Sequence, residues 1–176
     1  MYEQLSKQEF IERTRKEIAV SEEMLKWVDE HYWPIVKKFD GKVFNKRFFN
    51  ALYETIDIPV VFRHSNTTRI DAEGSDCVYE YEIEAAYNAG GLQKRLFLTL
   101  VTNSEGRVVA DASHTKNYDR NIGNFKSNLK DSYDSIERYD EVKAFAEDLE
   151  KKIREYSEMP FTARRNMAGF SKWYLG

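Results

Sequence analysis

The sequence predicts an α+β fold: an antiparallel β-meander of about four strands, with N-terminal helices and a C-terminal helix packed on one face. Three observations predict it. A charged helical region runs from Ser6 to about Thr55, a block of alternating residues from about Ile58 to His114, and a second amphipathic segment from about Asp140 to Ser157. Helices and strands kept apart along a chain point to α+β rather than to alternating α/β units. At 176 residues a single domain is expected, organised as 1–57 helical, 58–114 antiparallel sheet, 115–160 loop and helix, and 161–176 basic-aromatic tail. A chain of this size buries about 70% of its unfolded surface, enough for a core without cross-links. Its 32% charged and 41% hydrophobic fractions are globular values, not disordered ones.

The first helix has a readable start. Ser6 and Glu9 spell a capping box, in which each side chain satisfies the other's free backbone N–H, and Leu5 and Phe10 occupy the flanking staple positions. Ile11, Thr14, Ile18, Ser21, Leu25, Val28, Tyr32 and Ile35 then recur at alternating spacings of three and four, the stripe of one helix face. Thr14 and Ser21 weaken that stripe, and Ser21-Glu22-Glu23 reads as a second N-cap, so one bent helix or two are expected. Trp33-Pro34 should kink or end it, because proline lacks an N–H and its ring presses on the previous turn. Asp40-Gly41 is a turn. Phe44, Phe48, Phe49, Leu52 and Tyr53 predict a short helix over Asn45 to Thr55, with Lys42, Lys46 and Arg47 on its basic side.

Ile58 to Arg63 predicts the first strand, continuing through Thr67 to Asp71 after a bend. Val78 to Tyr87 alternates with period two: Tyr79, Tyr81, Ile83 and Ala85 on one face, Glu80, Glu82 and Glu84 on the other. After the turn Asn88-Ala89-Gly90-Gly91, Leu96, Leu98 and Leu100 share a face within Lys94 to Thr102. A two-residue loop that keeps both apolar sets together places Glu84 opposite Arg95. Asn103 to Gly106 predicts a three-residue loop with Gly106 left-handed. It leads into a fourth strand that sets Leu100 opposite Ala110 and turns Val108, Ala110, Ala112 and His114 toward the core. Lys116 to Tyr139 reads as loop plus irregular helix. Tyr139, Val142, Phe145, Ala146, Leu149, Ile153 and Tyr156 form the last apolar stripe, with Pro160 just beyond it.

Composition narrows the function classes. A net charge of −3 argues against global attraction to nucleic acid. Charge is uneven: Pro59 to His114 carries five basic and eight acidic residues, whereas Glu158 to Gly176 carries three basic and one acidic. One cysteine, Cys77, allows no intrachain disulfide. The N-terminus has neither the basic nor the apolar region of a secretion signal, and no apolar run approaches ~18 residues. A cytoplasmic protein with no membrane association is expected.

No constellation of His, Cys, Ser, Asp and Glu has catalytic or metal-ligand spacing. His31, His64 and His114 lie far apart. His114-Thr115-Lys116 with Asp119 resembles an H-x-K-D phosphotransfer pattern, but the aspartate follows too closely and only one copy exists. Asp71-Ala72-Glu73-Gly74-Ser75-Asp76 lacks the ligand order and closing glutamate of an EF-hand. Glu141-Val142-Lys143 has the spelling of a nuclease E-x-K pair but lies at a helix start. Nucleotide-binding glycine loops are absent from the sequence. No metal and no cofactor are expected.

Two surface features carry the functional expectation. Glu80, Glu82 and Glu84 form a carboxylate row with a repeat of about 6.7 Å, the scale of successive phosphates, which could present itself to a basic partner as nucleic acid does. Its plainer explanation is the wet face of a half-buried sheet. Arg164, Arg165, Lys172 and Trp173 in the tail could contact phosphates and bases, or the tail could strap the core. The expected function is non-catalytic protein binding: a small inhibitor or adaptor of a phage or mobile element, acting as monomer or homodimer on a basic nucleic-acid-processing protein through the glutamate row. The first alternative is nucleic-acid binding through the tail with Lys46 and Arg47. The second is an enzyme with an unrecognised site.

Overall fold

The computed structural model describes residues 5–70, 77–111 and 116–159. The chain forms two compact units, Met1–Ile136 and Glu137–Gly176. The first contains α1 (Lys7–Trp27), a π-helical turn (Val28–Tyr32), α2 (Trp33–Lys38), α3 (Lys46–Thr55), β1 (Val60–Ile70), β2 (Val78–Ala89), β3 (Leu92–Thr102) and α4 (Lys116–Glu137), whose last residue opens the second unit. The second contains α5 (Tyr139–Glu158). Among the described residues no helix is long and apolar enough to cross a membrane.

The capping box forms as spelled: Ser6 N–H donates to Glu9 Oε2 at 2.8 Å and Glu9 N–H to Ser6 Oγ at 3.3 Å. Hydrogen bonds to the Glu9 carboxylate from the Ser6 side chain and from the Ser6 backbone N–H favour its ionised form and lower its pKa. Ser21 starts no second helix. It lies inside α1, and its hydroxyl shares a 3.0 Å hydrogen bond with that of Tyr87 in β2. Pro34 neither ends nor sharply breaks the helix. The π-turn Val28–Tyr32 comes just before it and puts Pro34 in the first turn of α2, where a missing N–H has the smallest consequence.

Three strands form an antiparallel sheet in the order β1-β2-β3. Gly90 and Gly91 make the β2–β3 turn, so Ala89 faces Leu92 and Glu84 faces Phe97. The register differs by two residues from the expected Glu84–Arg95 pairing. An even shift preserves the faces, and Ile83, Ala85, Leu96, Leu98 and Leu100 are all buried on the inner one. The expected fourth strand is cut short. Gly106 is left-handed with φ +74°, Thr102 bridges Val108, and Val109 N–H reaches Val101 O at 3.0 Å. The segment is then drawn to the α2–α3 loop: Val108 N–H donates to Lys42 O at 2.9 Å and Ala110 N–H to Asp40 Oδ1 at 3.0 Å. Ala112 and His114 lie outside the described residues.

The core sits between the sheet and the N-terminal helices. Met24, Tyr32, Phe48, Leu52, Ile83 and Leu98 are fully buried there. Trp27 ties α1 to α3 by donating from Nε1 to Thr55 Oγ1 at 3.0 Å, and it packs on Phe62 of β1. The stretch expected as loop plus irregular helix is the 22-residue α4. Ile122 and Phe125 are buried, the Tyr118 ring stacks on Tyr32, and Ser132 donates to Glu17 of α1 at 3.0 Å. α4 thus packs on the core, whereas the helix expected to do so, about Asp140 to Ser157, is α5 of the second unit and contains no buried residue.

Gly123 lies inside α4, and an added Cβ would meet nothing within 4 Å. Gly123→Ala is therefore expected to stabilise the protein by about 0.8–1 kcal/mol, the helix-propensity difference. Urea unfolding should show a higher midpoint at unchanged slope.

Candidate functional site on the outer sheet face

The glutamate row is where the sequence put it, on the face of β2 opposite the core, but it is not a wet acidic face. Glu80 is only 6% exposed and Glu84 only 3%. A carboxylate leaves water only when positive charge or hydrogen bonds replace the lost hydration. For Glu84 that replacement comes from both neighbouring strands. Arg63 of β1 donates from Nη2 to both carboxylate oxygens at 2.8 and 3.0 Å, and Arg95 Nε of β3 lies 3.5 Å from Oε1. Arg63 faces Glu84 directly, whereas Arg95 faces Ala86 and reaches Glu84 diagonally. Glu80 accepts from the Asn117 amide of α4. Glu82 is half-buried and accepts from Ser65 Oγ at 2.8 Å.

The charge presented outward is thus the reverse of the sequence expectation at this end of the sheet. The Glu84 carboxylate is 4% exposed, while the Arg63 and Arg95 side chains above it are 57% and 53% exposed. Two guanidiniums against one carboxylate leave a net positive patch. Beside it Val61, on the same face of β1, is 60% exposed. A groove lined by Val61, Arg63, Ala86, Asn88 and Gln93 runs across this corner.

β1 is also an edge. It pairs with β2 along its length, and no described strand lies on its other side. A bulge at Ser65 shifts the register between His64 and Asn66; bulges of this kind bend an edge strand and limit indiscriminate pairing. Beyond it, His64 Nε2 lies 2.6 Å from Thr67 Oγ1 and 2.9 Å from Asn66 O, with its ring near Tyr81.

The other expected sites fall apart in space or lie outside the described residues. Lys46 and Arg47 are exposed at the start of α3, where the Asn45 side chain already accepts the Arg47 N–H at 2.9 Å. Arg164, Arg165, Lys172 and Trp173 lie outside the described residues, as does the Asp71–Asp76 segment. His31 sits 3.8 Å from Glu30 on the π-turn, away from the β1 contacts of His64. Cys77 is half-buried and unbridged. Among the described residues no group of three His, Cys, Asp or Glu side chains could hold a metal ion.

One polar cluster went unread in the sequence. Glu17 of α1 is 9% exposed; it pairs with Lys94 of β3 and accepts from Ser132 of α4. With Ser21 and Tyr87 it lines a small cavity under α4. The signal was present: Thr14, Glu17 and Ser21 follow helical spacing on the buried side of α1, and polar residues there need partners. Comparisons of this chain with protein-family models, with curated proteins and with solved structures find no match.

Proposed function

We propose that the protein is a non-catalytic protein-binding module that docks a partner on the Val61–Arg63–Arg95 corner of its sheet. The observation that supports this reading is the arginine pair held over buried Glu84 beside a 60% exposed valine, on the outer face of a strand that has no described strand on its other side. Arginine and apolar side chains in contact are the composition of interface anchors. The buried carboxylate fixes the guanidinium fork in advance, so less side-chain freedom is lost on binding. The partner that fits is an extended segment carrying carboxylates, laid across the outer sheet face and paired with the arginines. The glutamate row then acts as a support for the arginines rather than as the contact surface itself.

The test is capture of partners by the tagged full chain from nuclease-treated lysate, repeated with Val61→Lys and Arg63→Ala. A captured protein whose affinity falls on the order of tenfold with either substitution is the expected result. Capture indifferent to both substitutions would remove this corner from the interface. Retention only before nuclease treatment would replace the reading with nucleic-acid binding through the exposed Lys46 and Arg47.

A further inference from the structure

The N-terminal half of α1, the start of β3 and the C-terminal half of α4 border a cleft of about 480 Å³, a volume usual for small-molecule sites. Leu5, Phe10 and Leu92 supply its apolar wall, and Arg13 and Asp131 line it as well. Its third charged residue, Glu17, is already neutralised: it pairs with Lys94 and accepts from Ser132 at 3.0 Å. Arg13 has no such partner. Its Nε is buried without a hydrogen bond, and among the described residues neither Arg13 nor Asp131 forms an ion pair, with the other or with a third group. We propose that this cleft binds a free α-amino acid with an apolar side chain, its carboxylate on Arg13 and its ammonium on Asp131.

The local structure places these groups together. Helical spacing puts Phe10, Arg13 and Glu17 on one side of α1. Gly90 holds the β2–β3 turn against the Arg13 backbone, which sets Leu92 at the same end of that helix. Charge then decides the class of ligand. With Glu17 held by Lys94, the cleft keeps the positive charge of Arg13 and the negative charge of Asp131. A guanidinium partly withdrawn from water, with one N–H unpaired, gains from an incoming carboxylate. A simple anion satisfies Arg13 but is repelled by Asp131, and a simple amine does the reverse. A zwitterion meets both and leaves the balance of charge unchanged. In an α-amino acid the carboxylate, the ammonium and the side chain all leave one carbon, so a single small molecule answers the cation, the anion and the apolar wall. None of these residues belongs to the Val61–Arg63–Arg95 corner, so the site is separate from the docking surface proposed above.

The experiment is a titration of the full chain with phenylalanine, followed by nuclear magnetic resonance of the backbone amides. Saturable shifts at Arg13, Leu92 and Asp131 are expected. Two analogues each remove one charge: phenylalanine amide lacks the carboxylate, and N-acetylphenylalanine lacks the ammonium. The amide should bind about tenfold more weakly, because the half-buried Arg13 loses a charge-assisted pair. The acetylated form should lose about threefold, because Asp131 is solvent-exposed. Arg13→Gln should weaken phenylalanine by the same factor of about ten and no longer distinguish it from the amide. Asp131→Asn should no longer distinguish it from the acetylated form. Arg63→Ala should leave the affinity unchanged. Circular dichroism confirms the fold of each variant, and the analogue series on the wild type requires no variant at all. An absence of saturable shifts would overturn the proposal. So would equal binding of the three compounds, or an affinity that ignores Arg13→Gln.

Discussion

Gly90→Ala is expected to cost about 3 kcal/mol or more, whereas Gly91→Ala, one residue along the same turn, should cost only about 1. Both residues are left-handed, with φ +61° and +85°, so either alanine suffers the backbone penalty of that region. The difference lies in what a Cβ would meet. At Gly91 it meets nothing within 4 Å; at Gly90 it would lie 2.5 Å from Arg13 O and 3.3 Å from Glu17 N. Both are backbone atoms of α1, which cannot swing aside as a side-chain tip can. Relief requires the hairpin or the helix to move, and the buried Glu17–Lys94 and Ser21–Tyr87 contacts join those same elements. Chemical denaturation of the two variants measures the contrast directly. Equal losses would show that the turn alone, and not its approach to α1, sets the requirement for glycine.

That turn also shows where the sequence was legible and where it was not. Asn88-Ala89-Gly90-Gly91 offers two loops of equal length, Ala89–Gly90 and Gly90–Gly91, and hydrophobic alternation cannot separate them because they differ by an even shift. Turn chemistry can: a two-residue turn with positive φ at both positions favours the glycine pair. The capping box, the inner strand faces and left-handed Gly106 follow from local rules that involve few residues, and they form as spelled. α4 was obscured because Asn117, Asn121, Asn124, Asn128 and Gly123 are poor helix formers. Its stripe of Tyr118, Ile122, Phe125 and Leu129 was nevertheless regular, and burial against Tyr32 and the core outweighs propensity. The fourth strand failed for a non-local reason: Val109 N–H still pairs with Val101 O, but the Thr99 carbonyl, the next acceptor along β3, takes the Tyr32 hydroxyl from 67 residues away in sequence.

The functional surface was legible only as a row of charges. Alternation placed Glu80, Glu82 and Glu84 on one face, but it could not say which sign faces outward. That depends on Arg63, which lies 21 residues away in sequence and is brought opposite Glu84 by the β1–β2 register. A strand read alone gives the positions of its charges; the sheet determines which are sunk. The α5 stripe is the converse case. Its pattern was complete in the sequence, and pattern alone does not say whether the cover comes from this chain or another.

Tyr32 carries the second large effect. It is 0% exposed, its hydroxyl donates to Thr99 O at 2.7 Å, and its ring contacts those of Trp27 and Tyr118. Tyr32→Ala should cost about 3–5 kcal/mol from the cavity it leaves. Tyr32→Phe keeps the packing and should cost about 1–2 kcal/mol, because the Thr99 carbonyl loses its donor in a dry place. The phenol also makes stability depend on alkaline pH. Burial, with a smaller contribution from Tyr118, pushes its pKa well above the ordinary 10.0. Burial likewise raises Tyr87 and Tyr118. In the unfolded chain Tyr32 ionises near 10.0, so above that pH the unfolded state binds fewer protons than the folded one. The stability tied to the buried phenol is complete below pH 10 and is lost as pH rises toward the folded-state pKa, by up to about 1.4 kcal/mol per pH unit. Phenylalanine has no such proton. The wild-type advantage over Tyr32→Phe should therefore hold from neutral pH to about 10 and shrink above it, while lysines and the other tyrosines, common to both proteins, cancel in the difference. Urea unfolding of the pair across that range checks this; a gap that stays constant into strong alkali would mean that Tyr32 ionises in the folded state as freely as in the unfolded chain, and that its hydroxyl is not held in a dry site.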